Sequence, residues 1–170
     1  IIVIALSVVL MFVFPLMTMA DRTDDIAQLT VETATSDFVN SVVVKGKITP
    51  EDYQTMVQML TSTGNTYDVE IEVQVLDENP GKKTTQTDRT TVGENEYYII
   101  TTSQVLDVID PDGSVPRPYG LKEGDIVSVK VKNTNPTLAQ QLKNFFYTVV
   151  GNNTYTLGAE KSAMVKATGK

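Results

Sequence analysis

The sequence predicts an α+β fold. A long N-terminal α-helix, apolar in its first half and amphipathic in its second, packs on a small, mainly antiparallel β-sheet domain with short helices. Three observations carry this reading. From Ile1 to Lys45 the chain contains no Gly and one Pro, Pro15, and its apolar residues either run unbroken or recur at helical spacing. Residues 67 to 76 and 126 to 132 alternate apolar and polar with a period of two, the mark of half-buried strands. Short segments with helix-start signals lie between the alternating ones.

The first helix opens with Ile1, Ile2, Val3, Ile4, Ala5, Leu6, and continues through Val9, Leu10, Phe12, Val13, Phe14, Pro15 and Leu16 to Ala20 without a charged residue. Twenty residues at about 1.5 Å each span roughly 30 Å, the thickness of a bilayer core. The segment is apolar on every side, unlike a surface helix of a soluble domain. Two other readings compete with a retained membrane-compatible helix: a cleavable signal peptide and the buried core helix of a soluble domain. The first calls for a basic start and a small-residue cleavage site after a shorter apolar stretch. A basic leader is expected ahead of Ile1, cut on the cytoplasmic side of the apolar run. Pro15 removes one helical hydrogen bond and predicts a kink or an unwound stretch near residues 11 to 15.

Past Ala20 the chain turns polar without a break at Asp21-Arg22-Thr23-Asp24-Asp25. Ala27, Val31, Ala34, Phe38 and Val42 then form a stripe, with Ile26 and Leu29 beside it. The helix is expected to run to about Val44, to stop at Gly46, and to pack on the head through that stripe. The chain thus divides into a helix over 1–45 and an α+β head over 46–170. Asp21, Asp24 and Asp25 are read as a solvated collar at the membrane edge, in preference to a metal site.

Thr49-Pro50-Glu51-Asp52 is a helix start: a capping hydroxyl, a Pro at the first helical position and acids at the positive end of the dipole. The helix extends over roughly 50 to 62, with Gly64-Asn65 as its end. Val69, Ile71, Val73 and Val75 alternate with Asp68, Glu70, Glu72 and Gln74, a strand closed by the turn Asn79-Pro80-Gly81. Residues 82–95, polar and Thr-rich, read as an exposed excursion. Glu96 to Thr101 is a second strand. Residues 102 to 109 read as a short helix capped by Thr102, with a continued strand as the alternative. Asp110-Pro111-Asp112-Gly113 is a turn that lacks the further acidic ligands of a calcium loop. Ile126 to Lys132 is a strand with a Lys-bearing outer face. Asn135-Pro136-Thr137 starts a helix holding Leu138, Leu142, Phe145 and Phe146, with Val149 and Val150 before a stop at Gly151. Thr154 to Ala167 supplies one strand or two, and Asn152-Asn153-Thr154 matches a glycosylation sequon.

Composition removes several function classes. The net charge is -7, and no Lys/Arg run exceeds Lys82-Lys83, so no nucleic-acid binding is evident. The chain has no Cys, His or Trp. That removes disulfides, thiolate chemistry, the usual zinc and copper ligands, and His-dependent general-base arrangements. No cofactor, metal or catalytic residue is expected.

A retained apolar helix with a proline in it, its amphipathic continuation and a small antiparallel sheet behind it resemble the type IV pilin superfamily, including pseudopilins and tight-adherence pilin-like proteins. The match covers residues 1–45 by pattern and the rest by architecture. The stretch Leu121-Lys122-Glu123-Gly124-Asp125 through Asn135, with Phe145-Phe146-Tyr147 and Gly151 to Tyr155, also looks like exported proteins of Gram-positive anaerobes, to which no activity attaches. Pilins carry a Glu at the fifth mature position, which pairs with a neighbour's N-terminal amine; counted from Ile1, this chain has Ala5 there. The resemblance implies a structural filament subunit at the cell surface, held in the cytoplasmic membrane before assembly. Its implied partners are copies of itself, a leader peptidase and the pilus assembly machinery. Ile1, Ile2, Val3, Ile4, Leu6, Val9, Leu10, Phe12, Val13, Phe14, Pro15 and Leu16 would be the filament core and, before assembly, the membrane helix. The alternative is a single-span membrane-anchored extracytoplasmic binding or adhesion module, or a minor pseudopilin.

Overall fold

The computed structural model describes residues 1–77, 97–111, 115–147 and 156–169, apart from the side chains of Ala5, Lys143, Phe145, Phe146 and Tyr147. The expected α+β architecture is what forms: a long N-terminal helix on a small antiparallel sheet with short helices. Helix α1 spans Ile2–Lys45, 44 residues or about 66 Å. It stays helical through Pro15, so no unwound stretch interrupts it there. It stops at Gly46, whose φ of 65° is left-handed and whose N–H donates to the Val42 carbonyl at 2.8 Å. A residue without Cβ takes that conformation at little cost.

The chain then forms β1 (Lys47–Ile48), α2 (Pro50–Ser62), β2 (Tyr67–Leu76), β3 (Tyr97–Ile100), α3 (Thr102–Ile109), β4 (Tyr119–Gly120), β5 (Ile126–Asn133), α4 (Leu138–Tyr147) and β6 (Gly158–Met164). Strands β3, β2, β5 and β6 make one antiparallel sheet in that order, and β1 pairs with β4 in a separate two-stranded ribbon. In the main sheet Val73 lies opposite Val127 and Val69 opposite Val131, so the apolar faces of β2 and β5 coincide. The polar faces coincide too. Asp68 is opposite Lys132 and Glu70 opposite Lys130, which in turn faces Glu160 of β6. Opposite charges across neighbouring strands favour this register over a one-residue slip, which would bury the acids.

Helices α1 and α3 pack on the apolar face, and α2 packs on α1. Val31, Phe38, Val39 and Val42 of α1, Met56 and Leu60 of α2, and Val105 and Ile109 of α3 share one cluster with Ile71, Val73, Val127, Val129 and Val131. The second half of α1 is therefore part of the head's core.

Local chemistry explains the helix starts. The Thr49 hydroxyl accepts from the Asp52 N–H (3.2 Å) and donates to the Asp52 carboxylate (2.8 Å). The same carboxylate takes both of its oxygens to Lys45 Nζ at 2.8 Å, tying the end of α1 to the start of α2. Burial pushes the Asp52 carboxyl up, but hydrogen bonds from Lys45, Thr49 and Ser41, with the Lys45 charge, hold it below the usual carboxylate value.

At α3 the cap differs from the sequence expectation. Thr101 is the capping residue, and its N–H donates to Gln104 Oε1 at 3.0 Å. Thr102 lies one residue further in, and its hydroxyl has another task. It accepts from the Ile71 N–H (2.7 Å) and donates to the Ile71 carbonyl (3.1 Å). That hydroxyl continues on β2 the pairing that β3 leaves off at Ile100, opposite Val73. Gly64, with φ of 77°, follows α2. Among the described residues of 154–167 there is one strand, Gly158–Met164. The turn at 79–81, the excursion at 82–95, Asp112, Gly113, the segment Val149 to Tyr155 and its sequon lie outside the described residues.

Candidate membrane and assembly interface

The first half of α1 projects from the head. Ile1, Ile2, Val3, Ile4, Leu6, Val9, Leu10, Phe12, Phe14, Pro15 and Leu16 are all exposed, and Val13 is half-buried. This helix is long and apolar enough to cross a membrane. Its two hydroxyls are compatible with hydrocarbon because each is satisfied inside the helix. Ser7 donates to the Val3 carbonyl at 2.8 Å and Thr18 to the Phe14 carbonyl at 3.0 Å. Pro15 has no N–H to offer the Met11 carbonyl, the one place in the segment where the ladder lacks a donor.

The second half is embedded. Ala27, Val31, Ala34, Phe38 and Val42 are each 3% exposed or less. Ile26 and Leu29 are not: they are 67% and 64% exposed and lie on the face of α1 turned away from the head. The exposed apolar surface therefore runs past Ala20 on that side, beyond the first charged residues.

Two side-chain latches fix the lower half of α1 against the sheet. Gln28 donates through Nε2 to the Gly158 carbonyl (2.8 Å) and accepts from the Gly158 N–H through Oε1 (3.1 Å). One carboxamide thereby satisfies both main-chain groups that the first residue of β6 turns toward α1, shielding an edge strand that would otherwise template pairing with another chain. Nothing larger than Gly fits at 158, since a Cβ there would come within 2.7 Å of the Val131 carbonyl oxygen.

The second latch corrects the reading of the acidic collar. Asp24 is half-buried, and its Oδ2 accepts from the Thr137 hydroxyl at 2.7 Å. Thr137 also caps α4 in a reciprocal box. Its Oγ1 accepts from the Gln140 N–H (3.2 Å), and its own N–H donates to Gln140 Oε1 (3.1 Å). Asp24 is thus a docking group for α4 rather than one of three solvated acids, and Asp25 stays exposed. The Thr-x-x-Gln spacing of that box is visible in the sequence. Nothing in the sequence shows that its hydroxyl proton goes to a carboxylate 113 residues away.

The top of α1 is held by main chain. The C-terminal segment crosses Gly46 so closely that a Cβ on Gly46 would lie 2.0 Å from the Ala167 carbonyl oxygen, and one on Gly169 would lie 2.0 Å from the Gly46 oxygen. Lys166 N–H donates to the Val43 carbonyl (3.1 Å), Leu121 N–H to the Gly46 carbonyl (2.8 Å) and Gly169 N–H to the Leu121 carbonyl (3.0 Å). The Leu121-Lys122-Glu123-Gly124-Asp125 stretch is built into the same seam. Asp125 is buried and accepts from the N–H groups of Leu76 (3.1 Å) and Lys122 (2.8 Å).

A groove between α2 and α3, lined by Pro50, Tyr53, Val57, Ile109 and Asp110 among others, encloses about 190 Å³. That is below the roughly 300–1,000 Å³ of small-molecule sites. Burial, with the nearby Asp110 charge, pushes the Tyr53 hydroxyl above its ordinary pKa. The feature most unlike a folded interior or a wetted surface is therefore the projecting half of α1. Comparison with protein-family models, with curated proteins and with solved structures found no match to this chain.

Proposed function

We propose that this chain is the structural subunit of a type IV pilus-like filament, polymerising through its N-terminal helix and held in the cytoplasmic membrane before assembly. One observation carries the reading: a single continuous helix whose first half is uncovered and apolar while its second half is locked into a folded head. Apolar surface of that extent is stabilised by burial at about 25 cal/mol per Å². A bilayer core and a bundle of identical helices both supply a dry environment, so transfer from one to the other costs little. The latches at Asp24, Gln28 and Gly46 hold head and helix in one fixed relation. Copies joined by the same contact then repeat with a constant rotation, and a rotation that does not close gives a helical polymer. The partners on this reading are other copies, a leader peptidase and the pilus assembly machinery, and the location is the cell surface.

A second reading, a single-span membrane-anchored binding or adhesion module or a minor pseudopilin, is favoured by a specific feature. An uncovered helix long and apolar enough to cross a membrane serves as an anchor without contact to a second copy. Immunogold negative-stain microscopy of sheared surface material separates the two. Decoration along filaments, lost in a Leu10→Glu variant, is the expected outcome. Label that stays with the membrane fraction and never decorates a filament sinks the polymer reading in favour of the anchored module.

A further inference from the structure

We propose that α4 is an interfacial helix that seats the head on the same lipid surface from which α1 projects, so that the chain grips the bilayer at two places. The inference rests on α1 crossing a membrane and does not depend on whether the chain polymerises. It begins from position. The hydrogen bond from Thr137 to Asp24 puts the start of α4 beside a residue four positions past Ala20, about 6 Å along the helix axis. Helix α4 packs against α1. Among the described side chains of residues 1–20 three apolar ones are shielded: Val13 and Met17 in part and Ala20 almost fully. All three lie on the face of α1 that carries Asp24, as the helical period requires. The cover on α1 therefore reaches down the apolar segment as far as Val13, seven residues or about 10 Å below Ala20. That matches the depth of about 5–10 Å at which interfacial helices lie.

The sequence of α4 suits that level. Positions 138, 142, 145 and 146 fall on one helical face, and Lys143 is the one charged residue of the ten. At the start of this face Leu138 is 61% exposed, Leu142 is half-buried, and the neighbouring Ala139 is 2% exposed against the head. Tyr147 closes the helix, and Tyr is enriched at membrane–water interfaces. An apolar face that begins at the end of a membrane-crossing segment continues the surface already in lipid. A lipid surface, rather than a distant protein partner, is its occupant. Charge argues for the kind of lipid. With a net charge of -7 and Asp21, Asp24 and Asp25 at the start of α4, anionic headgroups offer no attraction. The contact is apolar, insensitive to salt, and at least as strong on zwitterionic lipid as on anionic lipid.

The native chain contains no Cys, so single cysteines can be labelled without background. Leu138→Cys, Phe12→Cys and Val115→Cys are each labelled with an environment-sensitive fluorophore. Val115 is exposed and lies four residues before β4, which pairs with β1 just past the far end of α1. The full chain is reconstituted at low protein-to-lipid ratio in phosphatidylcholine vesicles carrying a quencher at the top of the acyl chains. The expected result is loss of emission at Leu138 and no loss at Val115, unchanged by high salt or by added anionic lipid. Quenching of Phe12 by deep acyl-chain quenchers with no quenching of Leu138 overturns the inference and leaves the membrane-crossing helix intact. Failure to quench Phe12 overturns both. Quenching of Leu138 that appears only at high protein density assigns the face to neighbouring copies and also overturns it.

Discussion

Replacing Gly46 by Ala is the sharpest single test of how the head is locked to the helix. Two separate costs arise at this position. The first is conformational: a φ of 65° places any L side chain in the left-handed region, at roughly 1–2 kcal/mol. The second is steric. The added Cβ lies 2.0 Å from the Ala167 carbonyl oxygen and 2.5 Å from the Gly169 nitrogen, both backbone atoms, so the C-terminal segment must move. Moving it endangers the hydrogen bonds Lys166 to Val43, Leu121 to Gly46 and Gly169 to Leu121, each worth about 1 kcal/mol net. The sum is about 3–5 kcal/mol.

Gly64 supplies the control. Its φ is 77°, but an added Cβ meets nothing within 4 Å, so Gly64→Ala carries the conformational cost alone, roughly 1–2 kcal/mol. Urea unfolding of the detergent-solubilised full chain, followed by tyrosine fluorescence and far-ultraviolet circular dichroism, measures both. The expected outcome is a midpoint for Gly46→Ala well below that of Gly64→Ala, which itself lies modestly below the parent. If the two variants unfold within about 0.5 kcal/mol of each other, the seam between Gly46 and the C-terminal segment contributes nothing, and the reasoning is wrong.

Other outcomes follow from the same contacts. Phe38→Ala removes the largest side chain that α1 places in the core and is expected to cost about 3–5 kcal/mol in the same unfolding assay. Thr137→Val deletes both the α4 cap and the proton given to Asp24. A loss of roughly 1–3 kcal/mol is expected, with faster amide exchange confined to α4 and the facing turn of α1. Gln28→Ala strips the Gly158 main chain of both partners, and exchange at the Gly158 amide should rise severalfold while the centre of β5 stays protected. The Asp52 carboxyl is held below its unfolded value, so its contribution is present above about pH 4 and is lost as pH falls through the folded value. The difference in unfolding midpoint between the parent and Asp52→Asn should therefore shrink toward zero on acidification below about pH 4.

The parts of this molecule legible in the sequence are those whose burial repeats with a fixed period. The stripe Ala27, Val31, Ala34, Phe38, Val42 and the alternations in β2 and β5 report which side of a local element faces apolar surroundings, and local geometry alone sets that period. Helix ends at Thr49 and Gly46 were legible for the same reason, since caps are satisfied within a few residues. The uncovered apolar run at the N-terminus was legible because nothing in it is polar enough to require water.

What tertiary structure decided has no period. The strands β1 and β4 are two residues each, too short to alternate, and pair only because Gly46 delivers the chain beside Leu121. Thr102 capping nothing and bridging Ile71, Asp24 receiving Thr137, and Gln28 standing in for a strand at Gly158 are each made by groups far apart in the chain. A polar side chain can find many partners, and only the folded chain leaves one within reach.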